Sequence, residues 1–337
     1  MNRNTPLPLL LRPAQGPHHR VRSATQLRAL GVTAAQTAAR CLPCGPWQQL
    51  LPGVYLLHPG PPTDRERVHG ALLYAGRPPA AARRGAGGTS EHGYGEAMVT
   101  GLAALTLYGF AATPPAVGLH RIDLLVPRTR RLRSTRFVQV TRAASLPRPE
   151  RRRGVPLAPV ERALADAVSA LTDPSQVRPI LTEAVRGGHC EPAAVVRELS
   201  AARLLGRPQV VDAVDALLAE GRAVAEGRLY AMVRGHGLPE PLWNVDLRLP
   251  GGTFLGGVDA YWPDQAVALE VGARAPREEH VTFAAEREHL ERLGITVVRT
   301  TPRMLREAPA DQAVVVRTAM MAAGDREPAA YVVVLPR

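Results

Sequence analysis

The chain of 337 residues contains no lysine, so all 42 of its basic residues are arginine. This absence excludes the chemistries that need a lysine amine: a phosphate-loop lysine, a Schiff-base lysine and a lysine at a nuclease active site. Cysteine is scarce as well, with three in total. Cys41 and Cys44 have the spacing of half a zinc site but lack a second pair of ligands, which argues against a structural zinc centre or a disulfide framework.

Long apolar runs are also absent, and no stretch reaches the length of a membrane span. The first 22 residues carry one apolar cluster, at residues 7–11, which is broken by proline and has no small-residue cleavage site after it. We therefore expect a cytoplasmic protein that has no membrane partner.

The formal net charge is +12, because arginine greatly outnumbers the acidic residues. A chain rich in Ala, Gly, Pro and Arg indicates a codon bias that favours arginine over lysine. Such a bias does not explain the excess of positive charge. An excess of this size predicts an anionic partner, most simply double-stranded DNA. Arginine suits that partner because its planar guanidinium binds phosphate and guanine through two hydrogen bonds.

The front of the chain is predicted to form a winged helix-turn-helix over residues 19–75. Residues 23–31 form a short helix that ends at a glycine, and a second helix capped by Thr33 follows after a tight turn. A small hairpin over residues 47–57 then turns at Pro52 and Gly53. In such a motif the second helix enters the major groove. A small capping subdomain of helices and a hairpin is the alternative.

The polar side chains of the second helix are the candidates for contact with DNA. They are Thr33, Gln36, Thr37 and Arg40.

The rest of the chain is predicted to contain three further regions. Residues 76–96 are rich in glycine, proline and arginine, which predicts a flexible insertion. Residues 97–205 are predicted to form a middle α+β region. Residues 210–325 have the order α-β-β-β-α-β-α, typical of a mixed sheet covered by helices. The predicted fold class is therefore multi-domain α/β.

Residues 258–271 are predicted to form a β-hairpin that carries two carboxylates on one face. With the turn centred at residues 263–264, Asp259 lies opposite Ala268 and diagonal to Glu270. Diagonal neighbours are ~7–8 Å apart at the backbone, close enough for two acidic side chains to share a divalent cation. A surface strand pair that merely carries two acids is the alternative.

Two further positions belong to this hypothesis. Glu226 lies on the preceding helix, on the same face as Tyr230 and Val233. Gly272 occupies the position beside Glu270 where a third polar group would be needed.

The order of Glu226 on a helix, Asp259 on a strand and Glu270 on the next strand resembles the PD-(D/E)xK endonuclease fold, in its small form related to the very-short-patch-repair endonucleases. The resemblance covers roughly residues 210–323. It implies that these three acids hold Mg²⁺, which activates water and stabilises the leaving group. It also places His280 and Arg287 near the scissile phosphate. The departure is Gly272, where the family has Asp, Glu, Gln or Lys.

The front half resembles the N-terminal part of the AbiEi family of type IV antitoxins, through residues 26–33, 51–55 and 101–105. The resemblance implies a winged helix that binds operator DNA and represses transcription, and it also implies a cognate toxin as a partner.

Three hypotheses follow from the sequence. The first is a DNA-binding regulator or antitoxin-like protein whose nuclease-fold domain is degenerate. The second is an active Mg²⁺-dependent DNA endonuclease directed by the winged helix. The third is a protein-interaction scaffold, which leaves the positive charge without a role. Gly272 discriminates between the first two and favours the first, because it offers neither a metal ligand nor an orienting charge.

Overall fold

The computed structural model of the chain describes residues 20–76, 93–272, 288–323 and 332–337. The described residues form a mixed α/β structure with three sheets. The predicted insertion at 76–96 lies mostly outside the described residues. The chain divides into two compact units, one of Met1–Cys190 with Val195–Val214 and one of Glu191–Ala194 with Asp215–Arg337.

The elements as far as residue 201 are β1 (Val21–Ser23), α1 (Ala24–Ala29), α2 (Ala34–Arg40), β2 (Gln48–Leu51), β3 (Val54–Leu56), α3 (Asp64–Ala75), β4 (Met98–Thr100), α4 (Gly101–Tyr108), α5 (Pro115–Gly118), β5 (Ile122–Pro127), β6 (Val138–Ala143), β7 (Glu150–Arg152), β8 (Val155–Leu157), α6 (Val160–Ala170), α7 (Pro174–Arg186) and α8 (Pro192–Ala201).

The elements that follow are α9 (Pro208–Gly235), β9 (Leu242–Arg248), β10 (Phe254–Trp262), β11 (Val267–Val271), β12 (Thr296–Thr300), α10 (Pro302–Glu307), α11 (Pro309–Ala323) and β13 (Val333–Pro336). Residues 288–292 are also helical.

The first sheet of the first unit is small and antiparallel, with the order β1-β3-β2. Helices α1 and α2 lie between β1 and β2 in the chain, and each begins with a capping box. Gly31, in the turn between the helices, has a φ of 80°, which a residue with a side chain rarely adopts. Leu27, Val32 and Trp47 form the buried core of the helix pair.

Helix α3 contacts strands of both the small sheet and the second sheet. Its sequence suggests an amphipathic helix with one solvated face, yet nine of its twelve residues are buried, including Glu66 and His69. The reason is that sheets on two sides leave little of the helix exposed. A Cβ at Gly70 would lie 2.6 Å from Leu50 Cδ2, so a glycine permits the close approach to β2.

The buried Glu66 carboxylate closes the N-terminus of α3. It accepts hydrogen bonds from Thr63 N at 2.8 Å and Thr63 Oγ1 at 2.9 Å, and it lies 3.2 Å from His58 Nε2. Burial acts to raise the pKa of Glu66, but the hydrogen bonds from Thr63 and the contact with His58 outweigh it, and the pKa lies below its ordinary value. The ionised carboxylate therefore stabilises the folded state.

We expect Glu66→Gln to lower the free energy of unfolding at neutral pH by about 0.3–1 kcal/mol, the range for a negative charge at a helix N-terminus, because glutamine can keep the capping box but not the charge. Because the folded pKa is lowered, the contribution of Glu66 is present above the ordinary glutamate pKa and is lost as the pH falls through the folded value. The difference between variant and wild type should therefore shrink under acid conditions. Urea unfolding over a pH series measures it, with the exposed Glu96→Gln as control. A difference that does not change with pH would contradict the assignment.

The second sheet has the order β6-β5-β4-β8-β7. β5 and β6 are parallel, as are β4 and β8, and the other pairs are antiparallel. Parallel strands are usually joined by a crossover of a dozen or more residues that includes a helix. Here residues 128–137 join β5 to β6 without one.

The third sheet belongs to the second unit and has the order β12-β11-β10-β9-β13, with β11 and β12 parallel. One apolar cluster lies on the face that carries Leu269 and Val298 and includes residues of α9 and α11. A second cluster contains Ala268, Tyr261 and Leu290. Because Ala268 and Leu269 are neighbours in a strand, the two clusters lie on opposite faces, and both faces of the sheet are covered.

Among the described residues, none of the helices combines the length and the apolar character that crossing a membrane requires.

Candidate functional site

The structure gives local roles to the four polar residues that were predicted to contact DNA. Thr33 Oγ1 accepts a hydrogen bond from Gln36 N, and Gln36 Oε1 accepts one from Thr33 N at 2.9 Å, so this pair forms the capping box of α2. Thr37 is buried, and its hydroxyl donates to Thr33 O. The Arg40 guanidinium lies over the Trp47 ring, 4.9 Å from its centroid. Thr37 therefore belongs to the core of the helix pair and not to its surface.

The exposed surface of α2 consists mainly of small side chains. Ala34, Ala35, Ala38 and Ala39 are exposed along the helix. Such a surface lets a helix approach another molecule closely, but it offers methyl contacts and no side-chain hydrogen bonds.

The hairpin that carries the candidate carboxylates exists, but its register differs from the predicted one. Trp262 pairs with Val267, which leaves residues 263–266 as a four-residue turn. Ala266 has a φ of 47°, in the left-handed region. The longer turn shifts the pairing by two residues, so that the position opposite Asp259 is that of Glu270 and not of Ala268.

The face on which the two carboxylates were expected is not an open polar surface. Tyr261, two residues after Asp259 in the strand, and Ala268, which was predicted to lie opposite Asp259, are 5% and 0% exposed and belong to the second apolar cluster. Strict alternation would also put Val258 on the face of Ala260, but these two residues lie in different clusters.

The break in alternation occurs beside Asp259 on the neighbouring strand. Asn244 has a φ of 48°, and Trp243 and Val245 on either side of it pack against different clusters. In a regular strand the side chains of residues i and i+2 lie on the same face of the sheet. The left-handed conformation of Asn244 breaks this pattern, so Trp243 and Val245 lie on opposite faces. Because Val258 pairs with Val245 and Ala260 with Trp243, Asn244 lies opposite Asp259.

Four polar residues thus form a row across four neighbouring strands: Asn244, Asp259, Glu270 and Arg299. The last pair, Glu270 and Arg299, is in direct parallel register. Each step between strands is ~4.8 Å. We refer to these four residues as the polar row.

Hydrogen bonds and an ion pair connect the polar row to its surroundings. Asp259 Oδ2 accepts from Val271 N at 2.6 Å. Arg299 Nε lies 3.5 Å from Glu270 Oε2, and the Glu270 side chain is 17% exposed. Backbone and arginine partners therefore already compensate the negative charge of both carboxylates.

Helix α9 approaches the polar row through Tyr230. Asn244 Nδ2 donates to Tyr230 Oη at 3.4 Å, and the Tyr230 ring packs edge-on against Trp243. Glu226 lies one helical turn before Tyr230 on the same side of the helix, and it is half-buried. Glu226 therefore lies on the side of α9 that faces the polar row.

Gly272 leaves a space that an arginine partly fills. A Cβ at Gly272 would lie 3.3 Å from Arg299 Nη2. The guanidinium of Arg299 therefore lies close to the point where a side chain at position 272 would begin, and it contacts the carboxylate of Glu270.

The arrangement of these residues does not match the donor set that Mg²⁺ needs. The ion takes six oxygen ligands in near-octahedral geometry, whereas here Glu270 faces a guanidinium and Gly272 contributes no side chain. In the part of the chain that the structure describes, no three His, Cys, Asp or Glu side chains converge on a common point suited to a metal. His280 and Arg287, the remaining predicted site residues, lie outside the described residues.

Two members of the polar row escaped the sequence analysis. Asn244 carried no signal, because its role depends on a left-handed conformation that the sequence pattern did not indicate. Arg299 ends an apolar strand and could have been found by pairing that strand in parallel with β11.

A second polar cluster was also missed, in the first unit. Thr100 Oγ1 donates to Asp166 Oδ2 at 2.6 Å, and Arg162 binds both oxygens of Asp166. Asp123 lies nearby and is 7% exposed. Burial raises its pKa above the ordinary value, against the opposing effect of Arg121. Arg121 is exposed, and Arg162 and Asp166 are half-buried, so the cluster lies at the edge of the core and internal ion pairs satisfy its carboxylates.

No model of a protein family matches the chain, and no curated protein sequence matches it.

Proposed function

We propose that the protein binds double-stranded DNA through its N-terminal helix pair and acts as a regulator or an antitoxin-like protein. The observation that carries the proposal is the arrangement of two capped helices, joined by a tight turn, with the strands of a small sheet. This is the order of a winged helix-turn-helix, with α2 as the recognition helix and the turn at Pro52 and Gly53 as the wing.

The net charge of +12 supports the same partner, because phosphate contacts supply most of the affinity of such proteins. The alanine surface of α2 further suggests that the helix enters the groove closely and reads few base edges through hydrogen bonds. Affinity would then come mainly from arginine contacts with phosphate, and sequence preference would be modest.

For the second unit we propose a nuclease-like fold that has lost catalysis and serves as a binding module. The supporting observations are the missing side chain at Gly272 and the contact of Arg299 with Glu270. An arginine that already neutralises a metal-ligand position favours direct contact with phosphate over metal-dependent cleavage.

An active endonuclease is the second candidate function. It is favoured by the adjacent positions of Asp259 and Glu270 on neighbouring strands and by Glu226 on the facing side of α9. If the second candidate is right, Mg²⁺ or Mn²⁺ would be required for cleavage and Glu270 would be essential to it.

A negative charge introduced on the exposed face of α2 tests the DNA-binding proposal. We expect Ala38→Glu to weaken binding to duplex DNA at least tenfold, because the carboxylate would face phosphates, whereas Ala38→Arg should preserve or strengthen it. Fluorescence anisotropy with a labelled duplex measures the affinity. Neither substitution removes a capping or core residue, so both variants should fold.

The matched control is Ala201→Glu, the same change at an exposed alanine in α8. Equal loss of affinity in Ala38→Glu and Ala201→Glu would show that only net charge matters and would reject α2 as the recognition helix.

A further inference from the structure

The connection between β5 and β6 is rich in arginine and free of acidic residues. Seven arginines and no aspartate or glutamate occur between residues 124 and 149. The connection itself, residues 128–137, follows the outer edge of the second sheet, where β6 is the terminal strand.

Side-chain hydrogen bonds hold this connection against β6, in place of the regular backbone hydrogen bonds between paired strands. Arg142 Nε donates to Arg130 O at 3.2 Å, and Arg142 Nη2 donates to Leu132 O. Val140 N donates to Ser134 Oγ at 3.0 Å. The connection therefore runs alongside β6 and covers the edge of the sheet.

Further contacts fix the connection to α3 and the small sheet, all within the first unit. Arg130 Nη2 donates to Ala75 O at 2.5 Å, and Tyr74 Oη donates to Arg133 O at 2.8 Å. Arg136 Nη1 donates to the carbonyl oxygens of Gln49 and Leu50 in β2, at 2.9 Å each. The backbone of the segment is thus held in place beside the strand that forms one side of the wing.

Besides Arg136, three arginines of this segment are exposed to solvent: Arg128, Arg131 and Arg133. Over residues 20–76, 93–272, 288–323 and 332–337, no carboxylate pairs with any of these three guanidinium groups. Backbone carbonyl oxygens of the segment accept the internal hydrogen bonds, so the three guanidinium groups are available to a ligand.

We infer that Arg128, Arg131 and Arg133 form a phosphate-binding surface for one strand of duplex DNA, beside the wing. The inference rests on the proposed function and adds a second, separate contact to it. Arg130 N donates to Pro127 O at 2.9 Å, which makes residues 127–130 a turn, so the three positions span less than the ~16 Å of a fully extended segment. Successive phosphates of one strand are ~3.4 Å apart along the duplex axis, so this shorter span still reaches several of them. Because the backbone is already fixed, little ordering is required on binding.

The test compares the salt dependence of DNA binding for two triple variants of the full chain. In the first, Arg128, Arg131 and Arg133 are all changed to Gln. In the second, three exposed helical arginines elsewhere, Arg178, Arg197 and Arg222, are changed to Gln. Affinity for a labelled duplex of about two helical turns is measured by anisotropy at several salt concentrations, and circular dichroism confirms folding.

We expect the first variant to lower the magnitude of the slope of log affinity against log salt by about two to three, roughly one for each phosphate that no longer meets an arginine. The control variant should leave the slope unchanged. Equal slopes in wild type and the first variant, or equal reductions in both variants, would overturn the inference while leaving the proposed function intact. Absence of duplex binding by the wild type would overturn the proposed function as well.

Discussion

Raising the salt concentration from ~50 to ~200 mM should weaken the binding of duplex DNA by about 10³- to 10⁵-fold. The physical reason is that each arginine bound to phosphate releases condensed counterions, and added salt opposes that release. All 42 basic residues are arginine, and the net charge is +12, so several phosphate contacts are available on one duplex. Anisotropy titrations at four or more salt concentrations measure the dependence.

A short duplex of unrelated sequence is the control for this measurement. Because the exposed face of α2 offers few hydrogen-bonding groups, we expect most of the affinity and nearly all of the salt dependence to be shared between sequences. An affinity that stays constant across this salt range would show that phosphate contacts do not contribute to binding, and it would contradict duplex DNA as the partner.

The second large effect concerns cleavage. We expect the wild type to leave supercoiled plasmid intact with Mg²⁺ or Mn²⁺, and its DNA affinity to change by less than about twofold on chelation, because no metal would bridge protein and phosphate. Gly272→Asp should introduce metal-dependent nicking, since it places a third carboxylate beside Asp259 and Glu270. An added Cβ meets only Arg299 Nη2, the end of a flexible side chain, so the change is sterically tolerable.

The Gly272→Asp variant carries its own control. Nicking that disappears in the double variant Gly272→Asp/Glu270→Ala would assign the new activity to the polar row. A wild-type protein that nicks DNA, in a manner abolished by Glu270→Ala alone, would instead favour the endonuclease candidate.

Much of the local structure could be predicted from the sequence because local signals determine it. Ser23 and Thr33 begin helices α1 and α2, as their capping potential indicates. Pro52 and Gly53 form the turn of the small hairpin, as predicted. In each case the residues that cause the feature are its neighbours in the chain.

The details of the carboxylate site could not be predicted, because they depend on contacts between distant residues. The predicted register assumed a turn centred on Pro263 and Asp264, but the turn contains four residues, with Ala266 in the left-handed region. A difference of two residues moves Glu270 directly opposite Asp259. Asn244 then reverses the faces of β9, which strict alternation does not anticipate.

The burial of α3 in the first unit also depends on contacts between distant residues, so it could not be predicted from the sequence. Its sequence contains charged residues that suggest a solvated face, and only the two sheets that pack against it explain why Glu66 is 1% exposed. Pattern reasoning treats a helix as having one buried face, and this helix is enclosed on more than one side.

The central claim is that the protein binds duplex DNA without cutting it. One experiment addresses both halves: plasmid DNA is incubated with the wild-type protein and Mn²⁺, and each sample is divided between a mobility-shift gel and a gel that separates supercoiled from nicked plasmid after the protein is removed. The account predicts a complete shift at low salt with the plasmid still supercoiled. Nicked plasmid in the shifted samples, or no shift at any protein concentration, would contradict it.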